Sequence, residues 1–572
     1  MELTAKMQGG DHRSRSYSLQ TSRPEENMPA LLRRLGMSQW RLWLVWFCLS
    51  FAASTSLPAD HLRALQKRAD ENSRAEWGRW GADRKKYSSW TSHSNRLIPI
   101  YTFGIDLRAY RGVYSPYRNQ RKIQRLYDGM SPGSLNPAAN YFDQTDVYRI
   151  QKRAVNSGKK YIILMVFDGM DWQTTQAAAI HAAQNVYTEG RGSGLSFQDY
   201  RRVTTDYGFF VTSPHNVGTQ VDVNAQAVLN PGGTERGGYS ARLGGATPWA
   251  VPGSDTYLLG KLRAVPHVVT DSASSATSMT SGKKTFNTAI NVDPNGAHLI
   301  PLPRQLQAER DFSIGVVTSV PISHATPAAA YANNVSRNDY QDLTRDLIGL
   351  PSISHRRKAL DGVDVLLGGG WGELVNGDEK QGSNFVRGNK FLTDADRKRI
   401  DLNNGGKYVV VQRERGQSGA ATLLAAGREA YRKKARLVGF FGAGGGNLPF
   451  QTADGKYNPH KLAYDASDLS ENPTLANMTR VALGVLSRNS QGFWLMIEAG
   501  DVDWANHANN LDNSIGAVLS GDAAFKTVTS WIEKNKAWDE TVLILTADHG
   551  HYFVLNDPTI LISPATGGTV DE

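Results

Sequence analysis

Several short segments of this chain carry side chains of the types and spacings that hold metal ions and meet anionic oxygens. In the run from Glu498 to His507, Asp503 and His507 are four residues apart, so on a helix they share one face and can grip one zinc ion. Glu498, just ahead of them, is free to bind a separate hard cation. Asp548-His549 sets a carboxylate beside an imidazole, where both can meet one metal, and His551 is placed as a third ligand or an outer donor. In Val269-Thr270-Asp271-Ser272-Ala273-Ser274, small residues follow an Asp-Ser pair. If a helix starts there, its free N–H groups and dipole favour an anion or a serine alkoxide at Ser272. Thr326 offers a hydroxyl oxygen suited to Mg²⁺, and Arg337 offers a planar fork for two anionic oxygens. Taken singly, each has a plain structural reading. Asp271-Ser272 and Thr326 could be helix caps, Arg337 a charge at a helix C-terminus, and Asp503 with His507 a surface ion pair.

What positions these groups is a set of apolar runs. Tyr161 to Phe167 ends on Asp168, Phe493 to Ile497 runs into Glu498, and Thr541 to Ala547 runs into Asp548. Continuous runs of this length predict strands buried on both faces, hence an α/β fold with a central, mostly parallel sheet sandwiched by helices. Ligands in such sheets bind at the carboxyl ends of the strands, where the acids and histidines fall. Further strands are expected at Ile314–Thr318, Val363–Leu367 and Leu437–Phe441, and a helix from Gln173 to Asn185. Thr326 is placed as an N-cap before Pro327, with the helix continuing through Ala328-Ala329-Ala330-Tyr331 towards Arg337.

The domain plan read from composition is a leader over 1–59, a basic extension over 60–155 and a catalytic domain over 156–572. The catalytic domain carries a glycine-rich surface insertion at about 188–262 that flanks the site mouth. The extension is expected to be a layer wrapped on the main domain. The net charge is +10, and between Asp106 and Lys160 eleven Lys or Arg face four Asp or Glu. No nucleic-acid module accompanies that basic stretch, so a solvated surface is expected and not a nucleic-acid partner. Leu42 to Ala53 is apolar, follows Arg33, Arg34 and Arg41, and precedes small residues. It is too short to span a bilayer and has the layout of a signal peptide, with Met37 as an alternative start. Export to the periplasm or outside, with no transmembrane anchor, is expected. The single cysteine, Cys48, lies in that stretch.

Taken in order, these groups resemble the alkaline phosphatase family from about Tyr161 to His551. The Asp364-Val365-Leu366-Leu367-Gly368-Gly369-Gly370 and Pro473-Thr474-Leu475 segments add to the likeness. The resemblance implies a phosphate monoester hydrolase with two Zn²⁺ and one Mg²⁺, working through a phosphoserine at Ser272, and it admits a homodimer. It implies Asp168, Asp548 and His549 on one zinc, with Ser272 as nucleophile beside it and Asp168 bridging to magnesium. Asp503 and His507 fall on the other zinc, Glu498 and Thr326 on magnesium, and Arg337 on the phosphate. His551 is similar to an outer histidine. His324 and Trp504 stand where some members have Asp and Lys. A phosphodiesterase of the same superfamily and a catalytically impaired metal- or phosphate-binding relative are the alternatives. In the family a further histidine follows the Asp-His pair. Here Tyr552 to Glu572 contain none, so the expectation is a truncated chain with an incomplete site at Asp503 and His507, weak zinc binding there and an exposed sheet edge.

Overall fold

The structure, a computed structural model, describes residues 61–209, 219–231, 237–259 and 269–563. The proposed leader, including Leu42–Ala53, lies outside the described residues. Ten strands build the central sheet. In chain order they are β1 (Ile98–Phe103), β2 (Phe142–Asp143), β3 (Tyr161–Phe167), β4 (Thr205–Phe209), β5 (Ser313–Pro321), β6 (Val365–Gly369), β7 (Tyr408–Gln412), β8 (Arg436–Phe440), β9 (Phe493–Ala499) and β10 (Thr541–Thr546). Across the sheet they run β7-β8-β6-β5-β9-β3-β10-β1-β4-β2. The seven strands from β7 to β10 are mutually parallel, whereas β1 pairs antiparallel with both β10 and β4.

The apolar runs form the strands for the reason read in sequence: Ile162 to Phe167 is at most 1% exposed, so both faces are covered. One helical layer packs Gly419–Lys433, Leu475–Leu486, Leu511–Lys534 and Trp172–Ala183 against one another in turn. The other brings Gln144–Asn156, Leu302–Arg310 and Ala325–Ala329 against Ser272–Ser281. Register puts the chemistry at one edge. Tyr161 lies opposite both Phe493 and Thr541, and Glu498 is flanked by Val166 and Thr318. The strand exits to Asp168 and Asp548 therefore lie level with Glu498.

Three expectations change. The segment before residue 156 is no covering layer: β1 is an internal strand of the sheet, and Ala59–Glu572 forms one compact unit. Its tyrosines Tyr117, Tyr127 and Tyr141 form a second core with Tyr239, Tyr257 and Tyr552. The glycine-rich insertion is no plain surface loop either, since it contains β4, which pairs with β1 and β2. Finally, β10 is not an exposed edge. All six of its residues are buried, and β1 pairs along its free side.

Candidate metal and nucleophile site

Ser272 is the first residue of a ten-residue helix, Ser272–Ser281, capped by Asp271, whose side chain accepts from Ser274 N at 3.0 Å. The small residues let nine of the ten helix residues bury, all but Ser281, and they bring Ser272 Oγ to 3.1 Å from His549 Nε2 and 3.4 Å from Asp168 Oδ1. His549 Nε2 is itself 3.1 Å from Asp168 Oδ1 and 3.5 Å from Asp548 Oδ2. The donor atoms of Asp168, Asp548 and His549 all lie within 4.8 Å of one another. Gly169 secures the turn out of β3 with φ +74°, and its N–H donates to Asp548 Oδ1 at 3.0 Å. A Cβ there would meet the His551 ring at 2.8 Å, so the position requires glycine.

Asp503 and His507 share the helix Asp501–His507, with His507 Nε2 3.2 Å from Asp503 Oδ1. A third donor joins them that sequence reading did not single out, His93, whose Nε2 is 3.8 Å from the same oxygen. The expectation of an incomplete donor set is therefore corrected: the third histidine comes from upstream, in the segment taken for an extension. His93 Nδ1 donates to Thr270 O at 3.1 Å, and His507 Nδ1 donates to Thr91 O. These bonds aim both Nε2 atoms at Asp503, the arrangement that orients metal-binding imidazoles. His551 Nε2 donates to Asp503 Oδ1 at 2.8 Å, and Asp503, His549 and His551 also form a possible donor group.

The donor set fits cations. Asp168, Asp503, Asp548 and Glu498 are four carboxylates in one buried pocket. Asp168 Oδ2, Asp548 Oδ2, Glu498 Oε1 and Thr326 Oγ1 are buried without a hydrogen-bond partner. Burial, then repulsion from Asp548 and Asp503, holds the Asp168 carboxyl well above the usual range. Glu498 is pushed up to about 8 by burial, against a hydrogen bond from Thr318. Burial also works against an ionised Asp503, but His507, His551 and His549 together hold it low. Carboxylate oxygens and a hydroxyl suit Mg²⁺, and imidazole with carboxylate suits Zn²⁺.

Arg337 stands over the serine helix, with one guanidinium nitrogen 3.1 Å from Asp271 Oδ2 and another 3.4 Å from His324 Nε2. His324 is kept neutral by burial and by Arg337, which push it down to about 3, and it meets Trp504 edge-on at 5.9 Å. The helix bearing Thr326 is Ala325–Ala329, capped by His324, so Thr326 is not the cap. Nor does that helix run on to Arg337. Asn334 instead exchanges two backbone hydrogen bonds with Ile290, which pulls the chain out of helical conformation. From the described part of the insertion, Gln226 reaches the stretch before Arg337: its Nε2 donates to Asn334 Oδ1 and its Oε1 accepts from Val335 N–H, both at 3.1 Å.

Asp339 closes the Arg337 loop by accepting from Asn334 Nδ2 at 2.7 Å. Burial and Asp342 raise it to about 8. An acid raised in the folded state contributes stability below its unfolded value, lost as pH rises from about 4 to 8. Asp339→Asn should therefore raise the melting temperature by a few degrees at pH 9 and by much less at pH 5, on the order expected for ~1–2 kcal/mol. Thermal melts at the two pH values check this.

The family model described as alkaline phosphatase matches residues 251–568. That is over half of the chain, which belongs to the alkaline phosphatase family. Alkaline phosphatase 4 of Bacillus subtilis (strain 168) is 30% identical over 281 residues, 49% of this chain and 49% of that protein. Alkaline phosphatase H of Pseudomonas aeruginosa (strain UCBPP-PA14) is 32% identical over 308 residues, 52% of this chain and 60% of its own. The chain thus spans about half the length of the curated relatives it matches. Among solved structures, a cold-active alkaline phosphatase from Shewanella sp. aligns with 23% identity and TM-score 0.40, covering 68% of each chain.

Proposed function

We propose that this chain hydrolyses phosphate monoesters, with Ser272 as the nucleophile. The observation that carries this reading is the convergence of Ser272 Oγ on the buried Asp168, Asp548 and His549 donors. When bound, two Zn²⁺ and one Mg²⁺ would lower the pKa of the reacting oxygens and offset charge on the phosphoryl group. Asp168, Asp548 and His549 would hold one zinc, and Asp503, His507 and His93 the other. Asp168, Glu498 and Thr326 would hold magnesium. Ser272 Oγ attacks phosphorus and the ester oxygen leaves. Water then cleaves the phosphoserine and releases inorganic phosphate.

Arg337, fixed by Asp271, would clamp two phosphoryl oxygens. Arg337→Ala should raise KM and lower kcat by roughly tenfold to a hundredfold in kcat/KM, about 1.4–2.7 kcal/mol, because the cations carry most of the compensating charge. Steady-state kinetics on a chromogenic monoester checks this, and complete loss of turnover would reverse that ranking. Turnover of the monoester with Zn²⁺ and Mg²⁺ tests the function itself. Preference for a diester would favour the phosphodiesterase reading, and no turnover the impaired relative. The signal-like stretch around Leu42–Ala53 supports export as the site of action, and no described helix is long and apolar enough to cross a membrane.

A further inference from the structure

We propose that residues 61–156 are a working part of the metal site supplied from the opposite end of the chain. The cation shared by His93, Asp503 and His507 then clasps this segment to the core, so that docking the segment and completing that site are one event. This rests on the metal-site reading above and extends it to how the site is assembled.

The first half of the segment, residues 61–103, is paired with the strands and loops around Asp548-His549. Gly78–Trp80 pairs antiparallel with Phe553–Leu555, His93–Ser94 with Gly550–His551, and β1 with β10. His61 Nε2 donates to Ile560 O at 2.7 Å, so the start of the segment runs beside residues that follow the Asp-His pair. Its far end is tied to the nucleophile helix. Lys284 Nζ lies 2.8 Å from Asp143 Oδ2 in a fully buried ion pair, and Gln151 Nε2 donates to Met279 O at 2.9 Å. Only residues 157–160 then separate the helix Gln144–Asn156 from β3.

At the donors themselves the dependence is reciprocal. His93 belongs to the segment, but its ring is aimed by Thr270 O of the core. His507 belongs to the core, but its ring is aimed by Thr91 O of the segment. Undocking would remove one ligand and release the other, leaving Asp503 with His549 and His551. Residues 61–156 lie outside the span matched to the family model, so a comparison by sequence order does not register this contribution. Without the segment, β10 would also present an unpaired edge.

The test uses the full-length protein, stripped with a chelator and titrated with Zn²⁺ alone. Hydrogen exchange is followed by mass spectrometry, and bound zinc is counted by elemental analysis. In the wild type, zinc should slow exchange across residues 88–97 by about tenfold or more. His93→Ala should weaken one zinc by about 100-fold or more and abolish zinc-dependent protection of 88–97, while zinc still protects 541–549. His93→Asp, which supplies a carboxylate ligand in place of the imidazole, should recover part of the lost zinc binding; a purely packing role for His93 would not be rescued this way. Unchanged zinc affinity in His93→Ala would overturn the proposal, as would exchange at 88–97 in the wild type that ignores zinc. These readouts are independent of turnover. A wild type that shows the clasp but cleaves no monoester refutes only the proposed function, and an active His93→Ala enzyme with both zincs tightly held refutes only the clasp.

Discussion

Ser272→Ala is expected to lower kcat on a phosphate monoester by on the order of 10³-fold or more, with little change in fold. Ser272 is 1% exposed, and removing its hydroxyl deletes one oxygen from a helix whose cap is Asp271, not Ser272. What disappears is the oxygen within reach of both His549 Nε2 and Asp168 Oδ1, and with it the covalent route. The donors remain, so residual hydrolysis would come from direct attack by water. Burst and steady-state kinetics with a thermal melt of the variant would check this. A variant that turns over at the wild-type rate would mean water is the nucleophile throughout and Ser272 only lines the pocket.

The second large effect is that of metal removal. Chelation should reduce turnover by about 10³-fold or more and lower the melting temperature, with both recovered on adding Zn²⁺ and Mg²⁺. The reason is electrostatic: Asp168, Asp503, Asp548 and Glu498 share one buried pocket, and the nearby Arg337 is already paired with Asp271. Without cations, Glu498 is raised to about 8 and Asp168 is also raised. For a raised acid, stability is fully present below the unfolded pKa, near 4, and is lost as pH climbs through the folded value. The stripped protein should therefore lose stability between about pH 5 and 8, so that chelation costs more at pH 8 than at pH 5. Differential scanning calorimetry with and without chelator at both pH values measures this, and equal shifts at the two would contradict it.

The legible parts of the sequence are those in which chemistry and periodicity are local. Asp168, Glu498 and Asp548 each end a contiguous apolar strand, and Asp503 with His507 shows its shared helix face by spacing alone. Ser272 was readable because an acid and a run of small residues surround it. His93 was not, since its meaning lies in a partner far along the chain: 416 positions separate His507 from Thr91, the residue that orients it. A signal was present, because His93 stands just before Leu97-Ile98-Pro99-Ile100-Tyr101, another apolar run leaving a histidine at its mouth. The Lys- and Arg-rich stretch that follows from Arg108 masks that run in composition. Thr326 lies inside its helix, two positions past the cap, because His324 takes the cap position without a side-chain capping bond that its sequence would advertise. β4 went unread because Thr205-Asp206-Tyr207-Gly208-Phe209 mixes a charge and a glycine into five residues and becomes a strand only beside β1.

The central claim is that Ser272 carries the phosphoryl group between ester and water. Its most direct measurement is to load the protein with Zn²⁺ and Mg²⁺, mix it with a phosphate monoester, quench in acid and map phosphorylation by peptide mass spectrometry. The account predicts one phosphoryl group per chain on Ser272, formed within a turnover and absent from Ser272→Ala. Full monoester turnover with Ser272 unmodified at every quench time, or with the phosphoryl group on another residue, would contradict it.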